Sequence, residues 1–170
     1  MIEALRYAAF VVFPVGMAFA GSSDLLTMTI SNRLMAALAI AFLLLAPFIG
    51  MDFHAFGLHL AAGAAMIAIA FFCFAMGWIG GGDAKLAAVI ALWFGVERGF
   101  DFLLLASLLG GGLTLLILSF RGIALPAFAV RQEWLARLHD RKQGVPYGIA
   151  LAAAALAVYP QTAWMSLLPG

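Results

Sequence analysis

Two aspartates stand where this chain should avoid charge. Asp24 closes an apolar run in Gly21-Ser22-Ser23-Asp24, and Asp83 opens another in Gly80-Gly81-Gly82-Asp83-Ala84-Lys85-Leu86. An ionisable side chain at the bilayer centre costs about 2.5–3.5 kcal/mol on insertion scales, so its presence points to function. Two carboxylates that meet cannot both ionise easily, and one keeps a proton. The ionised member can deprotonate water while the protonated member donates to a scissile carbonyl oxygen. That is peptide hydrolysis without a covalent intermediate. The glycines before Asp83 free the backbone and clear side chains from beside the carboxylate, so an extended substrate can approach. Taken alone, glycine before aspartate is better explained as the capped start of a helix. It is no phosphate loop, because no Gly-Lys-Ser/Thr follows.

Other chemistry-bearing residues are weaker candidates. Ser22 and Ser23 find only Lys85 and His139 as basic partners on the same expected face, a thin basis for a serine nucleophile. His54 and His59, near Asp52, are five residues apart and do not stack on one helical face, so no metal site is expected. Glu97, Arg98 and Asp101 suit a solvated outer turn. The lone cysteine, Cys73, makes no intrachain disulfide and reads as a small apolar side chain.

The elements that hold Asp24 and Asp83 must be membrane helices. Of 170 residues, 66% are hydrophobic and 10% charged, with mean hydropathy +1.10. Soluble domains carry about 25% charged residues, so lipid must solvate most of this surface. Uncharged runs cover 7–23, 34–51, 53–82, 86–96, 102–120 and 143–170. They are continuous rather than alternating, which favours helices over a barrel. The expected fold is an all-α, polytopic membrane protein of about six transmembrane helices, a single domain over 1–170. The run 86–96 is short for a span of about 20 residues and could begin inside a cavity. Ala18-Phe19-Ala20 looks like a signal-peptidase site, but Glu3 offsets Arg6 and the segment reads as a retained first helix.

Sidedness follows from counting. Between Asp24 and Asp83 lie two crossings, so both acids belong to one face. With six spans, Arg33, Lys85, Arg121, Arg131, Arg137, Arg141 and Lys142 share that side, against Arg6 and Arg98 on the other. Basic residues gather on the cytoplasmic side, so the acids face the cytoplasm and both termini lie opposite. The polar loop 121–144 could carry an interfacial helix from Pro126, with Ala127, Val130, Trp134 and Leu138 on one face and Arg131, Arg137 and Asp140 off it. Gly110-Gly111-Gly112 reads as a close-packing surface between helices. No basic run suggests nucleic acid.

Gly80-Gly81-Gly82-Asp83, followed by Ala84-Lys85-Leu86, resembles the Gly-x-Gly-Asp motif of the type IV prepilin peptidases. That family also carries an aspartate at the end of the first helix, then basic residues and Ile-Pro-Asn. Here the segment runs from Asp24 to Ile30-Ser31-Asn32-Arg33. Val145-Pro146-Tyr147-Gly148 resembles the Pro-Tyr-Gly segment opening the family's last helix. The length is similar to that of the short Flp/Tad-pilus enzymes of the CpaA/TadV type. Larger relatives carry an insertion with two cysteine pairs and an N-methyltransferase activity, for which this chain has no room. The resemblance implies a bacterial inner-membrane aspartyl peptidase that needs no cofactor or metal. Its partners would be prepilin or pseudopilin substrates and the lipid bilayer. It would remove a short basic leader at the cytoplasmic face, cutting after a glycine. It implies Asp24 and Asp83 as the catalytic pair and Gly80 and Gly82 as site-shaping residues. Lys85 could hold the acidic residue that follows the cut, or tune Asp83, or serve only as a basic anchor at the membrane edge. Two positions depart from the family pattern: Ser31 stands where proline is usual, and Thr27–Thr29 lack the basic residues. Both bear on substrate docking in that loop. Six apolar segments with two acids would also suit an ion- or proton-coupled transporter, and a pilus-assembly component with a decayed site is a third reading.

Overall fold

A computed structural model describes residues 2–126 and 131–166, and the side chains of all of these except 2–6, 8, 9 and 166. Among the described residues the chain is helical, with no strand. The helices are α1 (Ile2–Thr27), α2 (Asn32–Phe48), α3 (Phe53–Ala75), α4 (Gly81–Phe120), α5 (Glu133–His139), α6 (Gly148–Val158) and α7 (Ala163–Ser166), with a 3-10 turn at Tyr159–Gln161 before α7. Uncharged runs fold this way because a helix satisfies its own backbone groups where no water can. Phe10–Thr27, α3 and α4 are long and apolar enough to cross a membrane, and Asn32–Phe48 and Gly148–Gln161 are shorter apolar helices.

α4 is not one rod. Gly95 has φ 65° and ψ −168°, a non-helical conformation within it that a side chain would resist. Asp83 and Thr114 line one cavity, yet a straight helix would hold them about 46 Å apart. The chain therefore doubles back at Gly95 into a hairpin. The expected polar turn at Glu97–Asp101 is not where the chain breaks: helix resumes directly, with all three charged residues in its opening turns. Arg98 and Asp101 still pair at the surface, at 3.2 Å.

The break releases carbonyls that a continuous helix would satisfy, and side chains take them up. His59 Nδ1 donates to Leu92 O at 2.8 Å, and Trp164 Nε1 donates to Trp93 O at 2.7 Å. His59 is thereby turned inward against Gly95, while His54 is exposed. Around this hinge sits an aromatic core. Trp93 is fully buried, donates to Leu38 O at 3.0 Å, and lies 4.5 Å from Trp164 between ring centroids. Phe13 stacks on Tyr159 at 4.8 Å. The outer surface is the reverse of a soluble protein's. α3 alone exposes Ile67, Ile69, Phe71, Phe72 and Phe74, an apolar expanse that fits lipid rather than water.

The 121–144 loop differs from expectation. Its helix begins at Glu133, with Glu133 in the first turn and Arg137 and His139 in the last, the charge order that a helix dipole favours. Leu138 is buried and Trp134 half-buried, as one inward face requires. Ala127 and Val130 lie outside the described residues. Of the three consecutive glycines in α4, Gly110 packs under the Tyr147 ring, whereas Gly111 and Gly112 meet nothing. The close-packing surface is one residue wide.

Candidate active site

Asp24 sits one turn before the end of α1 and is 5% exposed. Its position is set by how α1 stops. Met28, with φ 53°, is the one described non-glycine residue at positive φ, and its amide donates to Asp24 O at 2.8 Å. Hydroxyl groups brace this strained end. Thr27 Oγ1 donates to Ser23 O at 2.7 Å, Ser23 Oγ donates to Thr29 O at 2.9 Å, and the Thr27 and Thr29 hydroxyls lie 2.7 Å apart. The threonines found where the family has basic residues therefore hold the loop's shape, and the Ser23 hydroxyl is engaged.

Asp83 is reached from the other side. α3 ends at Ala75, and just beyond it Gly77, with φ of 74°, lets Trp78 N close back on Cys73 O at 2.9 Å. Gly80 then caps α4 in an extended conformation. Asp83, on the first turn, reaches back toward Gly80. A Cβ on Gly80 would lie 2.9 Å from Asp83 Oδ2, closer than real side chains tolerate. On Gly82 it would stand 3.5 Å from Ile30, an ordinary contact. Gly80 is thus required beside the carboxylate, and Gly82 borders Ile30.

The two acids open onto the same space. A cavity of about 740 Å³ is lined by Asp24, Met28, Gly80, Asp83, Thr114, Gln143 and Tyr147 among others. Asp24, Met28, Gly80 and Asp83 also line a second cavity of about 300 Å³, with Ile30, Asn32 and Lys85. Gly148 N, at the start of α6, donates to Asp24 Oδ2 at 2.8 Å. A Cβ there would meet Asp24 Oδ2 at 2.8 Å and Ile30 Cδ1 at 2.7 Å. Lys85 Nζ donates to Asn32 Oδ1 at 2.8 Å, so Lys85 is tied to the first motif while still reaching the smaller cavity. Ser31, N-cap of α2 at φ −67°, makes no side-chain cap and lines neither cavity. Its backbone already has the proline conformation.

All five residues singled out from sequence lie in this region. Gly148, Ile30, Asn32, Met28 and Gln143 join them and were not singled out. Gly148, Ile30 and Asn32 belong to the motif segments, so a signal existed. Met28 lies in the same first motif segment, within the Thr27–Thr29 stretch, and nothing marks Gln143. The opposite end of the bundle holds a cavity of about 230 Å³ lined by Asp52, His59 and Glu97 among others. Among the described residues, no three His, Cys, Asp or Glu side chains gather as metal ligands.

Fold and site together define an all-helical protein of membrane character with two acids on a shared cavity. The chain belongs to the type IV leader peptidase family, whose sequence profile matches residues 11–115. The match spans both aspartates and ends before Pro146-Tyr147-Gly148. No curated protein and no solved structure matches the chain. Membership supports a leader-peptidase function in general, with prepilin substrates as a class, and lends nothing to the transporter reading.

Proposed function

We propose that this chain is a membrane aspartyl endopeptidase of the short Flp/Tad-pilus type. It cleaves basic leaders from prepilins at the cytoplasmic face of a bacterial inner membrane, without N-methylation. Asp24 and Asp83 are the catalytic pair. The observation that carries this reading is their opening onto a common cavity, each carboxylate beside a glycine at a helix start. With one proton between them, one acid draws a proton from water and the other donates to the scissile carbonyl oxygen. Gly80 and Gly82 keep the approach clear.

The arrangement proposed has six crossings, counting the α4 hairpin as two. The half before Gly95 is about 21 Å long, against a hydrocarbon core of about 30 Å. Asp83 is then recessed below the membrane surface, and the larger cavity admits water and substrate. The basic loop residues make that face cytoplasmic and leave both termini opposite. Lys85 is the substrate-binding residue. Its ammonium, held by Asn32, is free to shift onto the acidic side chain that follows the cut.

The test is co-expression with a prepilin, following leader removal by mobility. Asp24→Asn and Asp83→Asn should each remain membrane-inserted and lose cleavage by at least about 10²–10⁴-fold. Full processing by either variant would refute the pair. Lys85→Ala should raise KM for a substrate carrying the acidic residue and leave KM unchanged for one with alanine there. Equal KM changes for both substrates would remove Lys85 from docking.

A further inference from the structure

Arg121 closes α4 and is 8% exposed. By charge counting it is one of seven basic residues at the membrane edge, and such residues normally point to water. This one is folded inward. Its Nε donates to Leu138 O at 2.8 Å, and its Nη2 donates to Gln143 O at 3.1 Å and Gly144 O at 2.8 Å. Among the described residues no carboxylate pairs with it. Burying a cation without a counter-charge is costly unless acceptors take its donors, and here three carbonyls take those of Nε and Nη2. A guanidinium fork can meet several carbonyls at fixed angles, which an ammonium cannot. Arg121 therefore ties the end of one helix to the end of α5 and to the turn at 143–144.

That turn is part of the site. Gln143, Gly144, Val145, Pro146 and Tyr147 wall the larger cavity, and the next residue is Gly148, whose amide holds Asp24. Between the 143–144 turn and that amide the chain has only three residues to move in, including Pro146 with its fixed φ and Tyr147 wedged on Gly110. Resting on the peptidase reading above, we propose that Arg121 is a positioning residue. By taking the carbonyls of Leu138, Gln143 and Gly144, it fixes the cavity wall and the place where Gly148 meets Asp24.

The experiment uses the full chain in lipid nanodiscs, as Arg121→Lys and Arg121→Met. A peptide with a basic leader, a glycine and the start of a hydrophobic helix is the substrate. Misplacing a reacting group by about 1 Å can cost on the order of 10²-fold. Both variants should lower kcat by about 10- to 100-fold with KM changed by less than about threefold, Lys less severely than Met. In parallel, backbone amides over 143–148 should exchange faster with deuterium in both variants, while those of α1 to α3 keep their protection. Wild-type kcat in Arg121→Lys, or unchanged exchange over 143–148, overturns the proposal. Should Arg121→Met lose protection everywhere, Arg121→Lys decides. Exchange needs no turnover, so a wild-type chain that cleaves nothing would refute the peptidase reading and still leave the loop's anchoring measurable.

Discussion

Gly148→Ala isolates the contact between α6 and Asp24. The added methyl would stand 2.8 Å from Asp24 Oδ2, 3.0 Å from its Cγ and 2.7 Å from Ile30 Cδ1. Ordinary contact begins near 3.5 Å, so the carboxylate must withdraw by roughly 0.7 Å, or α6 must retreat by as much. Catalytic groups tolerate about 0.5 Å of displacement, and about 1 Å costs on the order of 10²-fold. The expected loss in kcat is therefore about 10- to 100-fold, or about 1.4–2.7 kcal/mol of barrier. Stability should change less. Overpacking costs about 1–3 kcal/mol, and alanine's better helix propensity returns up to about 1 kcal/mol. Gly112→Ala, where nothing lies within 4 Å, is the control and should cleave normally. The assay is steady-state cleavage of a prepilin peptide by both variants, with thermal unfolding alongside. Wild-type kcat for Gly148→Ala would mean that the amide-to-carboxylate contact does not position Asp24.

Ser31→Pro should raise stability by about 0.4–1 kcal/mol, because φ is already −67° and the Ser31 amide has no acceptor among the described residues. Thermal unfolding measures this, a lowered Tm refutes it, and cleavage should not change. Trp164→Phe strips the Trp93 carbonyl of its indole donor and should cost about 1–3 kcal/mol of stability. Cleavage per folded molecule should persist, since Trp164 lines neither acid cavity. Loss of cleavage in fully folded protein would show that the hinge at Gly95 controls the distant site.

The helical class was legible because period-free apolar runs leave the backbone no other solution in lipid. Placing Asp24 and Asp83 on one face needed only a count of crossings. The break inside α4 was less legible. Charges at 97, 98 and 101 look like a turn, whereas the chain actually reverses at Gly95, made feasible by His59 and Trp164 from elsewhere in the fold. Such long-range satisfaction of backbone carbonyls leaves no local trace in sequence. Arg121 escaped notice for a similar reason. Charge counting treats every arginine at a membrane edge alike, and nothing local distinguishes one that turns inward from one that anchors at the surface. Pro126 is a common helix opener, whereas the described loop helix opens at Glu133 with an acid at its positive end, and residues 127–130 lie outside the described residues.

A cap and a functional acid are compatible readings of the same geometry once both glycines are in view. Gly80 is the N-cap of α4 and Gly148 the first residue of α6, and each would crowd a carboxylate if it carried a side chain. Asp83 lies against Gly80 at the start of its own helix, and Asp24 accepts from the Gly148 amide of another. Both acids thus sit at helix starts, where the dipole favours negative charge, and Asp24 is seated on a backbone N–H group. Such a group has no rotamers and keeps its direction when the proton moves between the acids. On the proposed catalytic reading, the same feature that makes Asp83 look like a plain cap in sequence would leave the pair preorganised, with both carboxylates lining a shared cavity.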